Sequence, residues 1–387
     1  MKKLFLISIS CFVWGIAFSQ KDSVEFILVD TVTNQAGEYY MASNVNSWNP
    51  HDEQYKFKRD NDGTLFLICY FNKGTNLQFK FTRGSWLTVE TSTKGTDIIN
   101  RSLKTDTSRF VVNYISGWKD QFTPVFKQHT ASPHVKIIDT AFFIPQLNRT
   151  RKIWIYLPGD YTTSGKKYPV LYMHDGQNLF DEFSSAYGEW GVDECLDSLI
   201  AKGKPPCIVV GIENGPNRIT EYNPYNNERF GKEEGVAYVD FIVQTLKPFI
   251  DKNYKTIAGN ESTLIAGSSL GALISYYAIL KYPAVFGKAG IFSPAFWIAP
   301  EIKMLTDSLG KNVHGKLFFY MGGMEGQLNI DLMNVIAQQL GTISGSMIYT
   351  ITDSNSRHNE NAWRNWFAEF YNWIMADGYN YVIKTEE

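Results

Sequence analysis

Cysteine is scarce, and what there is falls at poor spacing for bonding. Of the 4 cysteines in 387 residues, Cys11 lies in an apolar leader stretch, which leaves Cys69, Cys195 and Cys207. An odd count without tight spacing is no disulfide framework. Their apolar neighbours read as those of buried thiols, with a Cys195–Cys207 bridge as the alternative. Histidine is also rare, at 6, and no Cys/His cluster has metal-ligand spacing, so neither a metal nor an organic cofactor is expected. Charge of one sign is missing too. Lys and Arg total 37 against 39 Asp and Glu, a formal net charge of −2. There is no basic tract or lysine-arginine face, which argues against nucleic acid as a partner. After residue 19 no run is long and apolar enough to cross a bilayer. Internal repeats and low-complexity segments are absent. From 22 to about 118 there is no convincing helical pattern.

What is there divides into three. Residues 1–19, MKKLFLISISCFVWGIAFS, carry two lysines, an apolar run from Leu4 to Phe18, and Ala17-Phe18-Ser19. This is a signal-peptide pattern, with cleavage expected after Ser19 and a secreted or periplasmic product. The run is short of the roughly 20 residues of a membrane helix. From 20 to 118, VEFILV, GEYYMA, TLFLICYF, LQFKF and RFVVNY alternate with turn-like NSWNPHD, RDNDG, NKGTN and TKGTD. That spacing predicts a small antiparallel, immunoglobulin-like β-sandwich. A linker is expected over 119–133. From 134 to 387, strand-like VKIID, KIWIYL, YPVLYMH, CIVVGI, TLIAG, KAGIF, KLFFYM and MIYTIT recur. Helical patterns at 189–202, 236–250, 270–281, 327–340 and 359–376 separate most of them. Continuous apolar strands between helices predict an α/β fold with a mostly parallel, doubly covered sheet.

The chemistry concentrates at Gly267-Ser268-Ser269-Leu270-Gly271, where TLIAG meets a helical run. This is G-x-S-x-G at a strand–turn–helix junction, where flanking glycines permit a sharp turn and lift Ser269 above the sheet. A serine hydroxyl needs a base to become a nucleophile. Two histidines follow Ser269. His314 precedes KLFFYM and leaves no strand end for an acid between them. His358, in the loop DSNSRHNENAW, is the expected base. The acid should follow KLFFYM, in GGMEG, where Glu325 is the one carboxylate; Asp353 and Asp331 are rivals. Oxyanion donors are expected from the backbone N–H of Leu270 and of Gln177 in HDGQNLFD, Gln177 being favoured over Gly176. Arg218, Glu221, Tyr222 and Trp297 follow strand ends on the ligand face of such sheets, and of these Arg218 and Trp297 are candidate substrate contacts.

Taken together, YLPGDY (156–161), YPVLYMHDGQNLFD (168–181), NRITEYNP (217–224), AGSSLGA (266–272), GIFSPAFW (290–297), GGMEG (322–326) and RHNENAW (357–363) carry a resemblance. Residues 134–380 resemble the putative esterase family of α/β-hydrolases, which includes enterochelin-type siderophore esterases, feruloyl and acetyl-xylan esterases, and mycolyltransferases. The resemblance implies a serine carboxylic ester hydrolase using Ser269, His358 and Glu325, with Leu270 and Gln177 at the oxyanion hole. It also implies Asp175 as a contact to a substrate hydroxyl. In the first half, AGEYYMASNVNSWNP (36–50) and LQFKFTRGSW (77–86) resemble starch- and glycogen-binding modules. That resemblance implies sugar stacking on Trp48 beside Lys80, with Trp86 earlier than the pattern expects for the second tryptophan. An acylated polysaccharide is the first expected substrate, a ferric siderophore lactone the second. A carbohydrate-binding protein on a retired hydrolase fold is the alternative of another class.

Overall fold

The computed structural model describes residues 21–33, 37–106, 109–123, 127–228, 230–376 and, as backbone, 383–385. The leader expected at 1–19 lies outside the described residues. The chain divides into two compact units, 1–126 and 127–387.

The first unit contains two sheets. One has the order β3-β4-β1-β7, from Lys58–Arg59 (β3), Leu65–Asn72 (β4), Lys21–Asp30 (β1) and Phe110–Ile115 (β7). The other runs β2-β5-β6, from Tyr40–Ser43 (β2), Asn76–Thr82 (β5) and Arg101–Lys104 (β6). Alternation places Val24, Phe26 and Leu28 of β1 and Leu77, Phe79 and Phe81 of β5 inside one core, where Phe26 meets Phe79 edge-on at 5.4 Å. The expectation of an antiparallel sandwich needs one correction: β1 and β7 pair in parallel. The short β6, RSLK, was not expected, because a brief polar strand at a sheet edge carries no period-2 apolar signal.

The second unit is built on a nine-stranded sheet. In chain order its strands are β8 (Val135–Ile144), β9 (Arg149–Tyr156), β10 (Val170–His174), β11 (Ile208–Ile212), β12 (Thr263–Ser268), β13 (Lys288–Phe292), β14 (Lys316–Gly322), β15 (Met347–Asp353) and β16 (Ile383–Thr385). Spatially they run β16-β15-β14-β13-β12-β10-β11-β9-β8. From β11 to β16 all pairs are parallel, while β9 pairs antiparallel with both β11 and β8. Every residue of β10, β11, β12 and β14 is buried. This is the mark of a sheet covered on both faces, and it explains why those strands read as unbroken apolar runs.

The helices are α1 (Val192–Ala201), α2 (Arg218–Glu221), α3 (Gly235–Phe241), α4 (Lys247–Asn253), α5 (Leu270–Lys281), α6 (Ile302–Leu309), α7 (Gln327–Ile343) and α8 (Glu360–Met375). A wide π turn over Ile242–Leu246 joins α3 to α4 just ahead of Pro248, whose ring and missing N–H disfavour a regular α turn. From Leu270 to Leu280, α5 is buried on all sides, so it is a central helix and not an amphipathic cover. Eight-residue α6 has too few turns to stand out by periodicity and was not expected. The span expected as a linker is tied down at both ends. Lys119–Gln121 form a short 3-10 turn, and Lys127, Thr130 and Ser132 hydrogen-bond to Ser185, Asp181 and Asp193 within the second unit.

Candidate active site

Ser269 stands where β12 ends and α5 begins, with φ 59° and ψ −120°. For a residue with a side chain this is a strained backbone, held by two hydrogen bonds: Ser269 N–H to the Phe292 carbonyl at 2.9 Å and Ala295 N–H to the Ser269 carbonyl at 3.1 Å. A Cβ at Gly267 would lie 2.8 Å from the backbone of Gly271, so only glycine lets strand and helix approach this closely. Leu270 is the first residue of α5, where helix N–H groups lack intrahelical acceptors.

Two strands away, Glu325 follows β14 in a short turn, and its side chain is 5% exposed. Its Oε2 lies 2.6 Å from His358 Nδ1. Its Oε1 accepts from the Ser293 hydroxyl at 2.6 Å and from Gly322 N–H at 2.9 Å. A proton on His358 Nδ1 leaves Nε2 with a lone pair, as a general base requires. His358 follows β15, its side chain is 44% exposed, and its ring meets Trp363 edge-on at 5.1 Å. Asn359 caps α8 through a bond from Ala362 N–H at 2.9 Å, which fixes the helix start two residues after the imidazole. The rival carboxylates are engaged elsewhere. Asp353 accepts from Ser356 and Trp366, and Asp331 accepts from Gln327. Ser269, Glu325 and His358 thus all lie just beyond the carboxyl ends of parallel strands of one sheet.

Ser293 was not anticipated as a site residue. Its φ is 47°, it is buried, and its hydroxyl links Glu325 to the indole N–H of Trp363, the latter at 2.9 Å. The sequence placed it within GIFSPAFW but offered no sign of its conformation.

In the loop after β10, Gly176–Asn178 form a single 3-10 turn. Gly176 packs so tightly that a Cβ would lie 2.8 Å from the backbone of Gly211. Gln177 is partly buried, its Oε1 accepts from Asn214 N–H at 3.2 Å, and its carbonyl accepts from the Ser184 hydroxyl at 2.7 Å. Asp175 and Arg218, both expected to touch substrate, are paired with each other. Arg218 donates to Oδ1 and Oδ2 at 2.7 and 2.8 Å, and Asn214 adds a bond at 2.6 Å. Burial alone would raise the Asp175 carboxyl, but the Arg218 charge and these bonds override it and hold it below the usual range. The guanidinium also lies 5.1 Å from the Tyr222 ring. Glu221 is fully buried and pairs with Arg149 and Arg151, so it serves packing. Trp297 is 54% exposed, edge-on to Phe230 at 6.4 Å, and is the expected contact residue most available to a ligand.

His174, unremarked in the sequence, is buried between Tyr222 and Tyr238, with Nδ1 2.9 Å from the Tyr238 hydroxyl and Nε2 without a partner. Burial pushes its pKa down to about 4. A second ring proton would have no acceptor, so the native state holds the neutral form while the unfolded chain protonates near 6.5. Between those values the unfolded state binds more protons, and stability falls as pH drops from 6.5 towards 4. Denaturant unfolding at pH 7 and pH 5 should show wild type losing about 2 kcal/mol more than His174→Asn. Equal losses would contradict the assignment.

In the first unit, the Trp48 and Trp86 rings lie 6.5 Å apart at 41°, so the second tryptophan does join the first despite its early position. Lys80 donates to the Ile98 carbonyl at 2.7 Å, and burial lowers its pKa. Its ammonium is therefore occupied within the module. Cys69, Cys195 and Cys207 are free thiols; burial pushes them up to about 12, 11 and 12. The alternative Cys195–Cys207 bridge is not formed. Among the described residues no helix is long and apolar enough to cross a membrane.

Comparison with known proteins agrees with this architecture. The uncharacterized protein YbbA of Bacillus subtilis (strain 168) is 32% identical over 184 residues, 46% of this chain and 70% of that protein. An endo-1,4-beta-xylanase/feruloyl esterase of Xylanibacter ruminicola is 28% identical over 174 residues, 44% of this chain but 23% of that longer protein. Among solved structures, the enterobactin esterase FES from Shigella flexneri shares the fold at a TM-score of 0.51 and 15% identity, covering 87% of each chain. The family model described as "Putative esterase" matches residues 144–372. With more than half its length matched, the chain belongs to the putative esterase family and is a carboxylic ester hydrolase on an α/β-hydrolase fold.

Proposed function

We propose that this protein is an exported serine esterase that cleaves acyl esters of carbohydrates through an acyl-enzyme. The observation that carries the reading is the 2.6 Å contact between His358 Nδ1 and Glu325 Oε2, beyond the same carboxyl ends of the parallel strands as the strained turn at Ser269. In the first step Ser269 Oγ bonds to the ester carbonyl carbon while its proton passes to His358 Nε2. The Leu270 and Gln177 N–H groups hold the oxyanion, and the leaving alcohol takes the proton from the imidazolium. Water then gives its proton to the same nitrogen and attacks the acyl carbon, and Ser269 regains its hydrogen as the acid leaves. Glu325 holds the ring in the working tautomer and balances its charge. The leader-like residues 1–19 support export.

The substrate class draws support from the feruloyl esterase relative and from the exposed Trp297, a flat apolar face in the segment that follows β13. A siderophore lactone, whose ferric catecholate complex would call for cations near the site, has thinner support: Arg218 is committed to Asp175, which leaves the exposed Arg357 beside His358. The Trp48–Trp86 pair favours a second role for the first unit, in sugar binding. An ester panel tests the reading: acetylated xylan, methyl ferulate, p-nitrophenyl esters and an enterobactin-like trilactone. The expected result is kcat/KM at least roughly tenfold higher for a sugar ester or methyl ferulate than for the trilactone. The reverse order would move the assignment to siderophore hydrolysis. For the sugar-binding role, retarded migration in gels containing xylan or amylose, lost in Trp48→Ala, is the expected outcome.

A further inference from the structure

Away from Ser269 and His358, three carboxylates gather at the start of α1. Glu189, Asp193 and Glu194 each bring one oxygen within 4.8 Å of the others. Asp193 is 0% exposed and Glu189 nearly as buried. Two of their oxygens are used: Asp193 Oδ2 accepts from Ser132 N–H at 2.7 Å, and Glu189 Oε1 from the Thr130 hydroxyl at 3.0 Å. Asp193 Oδ1 and Glu194 Oε2 are buried without a hydrogen-bond partner. The positive end of α1 accounts for acidic residues in its first turn. It does not account for a third carboxylate turned towards them, nor for two buried acceptors with nothing to accept. Arg364 reaches Glu189 at 3.7 Å, beyond hydrogen-bond length, and is itself half exposed.

We propose that Glu189, Asp193 and Glu194 bind a hard divalent cation of the calcium class. Carboxylate oxygens only accept, so two that face each other need a cation or a shared proton between them. An all-oxygen, multiply anionic cluster on a loop and a helix start suits the flexible coordination of Ca²⁺ better than the strict octahedron of Mg²⁺. A cation here fastens α1 to the segment that carries Thr130 and Ser132. It also braces Trp190, whose ring packs 5.7 Å from that of Trp363. No Cys/His spacing announces such a site, because its ligands are carboxylates at i, i+4 and i+5.

The full-length mature protein, stripped with EDTA and desalted, provides the test. Terbium alone should give saturable luminescence when tryptophan is excited, with Trp190 adjacent to a ligand, and Ca²⁺ should quench it by displacement. At about 2 mM, above the range in which extracellular calcium modules fill, Ca²⁺ should raise Tm by about 5 °C over the EDTA-treated protein. Both responses should vanish in Asp193→Asn and in Glu194→Gln, the latter at a partly exposed position and therefore the gentler change. A wild type with neither response overturns the proposal, as does a folded Glu194→Gln that behaves like wild type. Asp193→Asn that raises Tm while wild type ignores Ca²⁺ would assign a shared proton in place of the metal.

Discussion

Ser269→Ala should lower kcat for any substrate of the panel by roughly a hundred-thousandfold or more, the scale on which loss of a triad nucleophile acts. The residual rate would come from the oxyanion donors and substrate binding, which do not need the hydroxyl. Folding should survive, because the turn is held by main-chain bonds, from Ser269 N–H to Phe292 and from Ala295 N–H to Ser269. A companion variant separates chemistry from structure. With φ at 59°, any side chain at 269 is strained, and such a residue costs about 1–3 kcal/mol. Ser269→Gly should therefore lose turnover as completely as Ser269→Ala while unfolding at a higher denaturant concentration. Activity within tenfold of wild type in a folded Ser269→Ala protein would remove Ser269 from the mechanism and leave the esterase without an assigned nucleophile.

Glu325→Gln should cost on the order of ten-thousandfold in kcat with little change in KM, and the hydrogen bonds explain why so similar a side chain fails. Glu325 Oε1 already accepts from Ser293 and Gly322. In the glutamine variant the amide oxygen keeps those two donors, so the NH₂ group is turned towards His358 Nδ1. That nitrogen must then accept, the ring proton moves to Nε2, and the imidazole has no lone pair for the Ser269 proton. Losses of this size follow when a triad acid becomes an amide. Ser293→Ala is the milder contrast. It removes one of two donors to Oε1 and leaves the charge in place, so a loss of roughly tenfold is expected, in keeping with one hydrogen bond to a charged group. Steady-state kinetics on p-nitrophenyl acetate give both numbers. Glu325→Gln within tenfold of wild type, or Ser293→Ala as damaging as Glu325→Gln, would contradict this account of the imidazole's support.

Much of the scaffold was legible because its causes are local. Apolar runs such as YPVLYMH and TLIAG are buried on both faces, and a fully buried strand has no polar face to write into its sequence. The turn at Ser269 was legible for the same reason, since the glycines that permit it sit within two residues of it. Chain order and strand ends pointed to Glu325 ahead of Asp353; the contact of Glu325 with His358, and the bonds that hold Asp353 to Ser356 and Trp366, were out of sight.

What escaped the sequence depends on side chains that meet across long separations. Asp175 and Arg218 each read as a ligand contact; only folding brings them together, and the pair then satisfies itself. Ser293 and His174 carry no pattern of their own, and their roles come from Trp363, Glu325 and two tyrosines contributed by other elements. Glu189, Asp193 and Glu194 carry no motif; only folding gathers them and leaves two of their oxygens buried without partners. Period and turn chemistry are properties of neighbouring residues, so the sequence alone determined the α/β class and the strand–turn–helix junction at Ser269. Which charge meets which, and which polar atom is left dry, depends on distances that exist only after the chain has closed on itself, and the tertiary structure alone decided those.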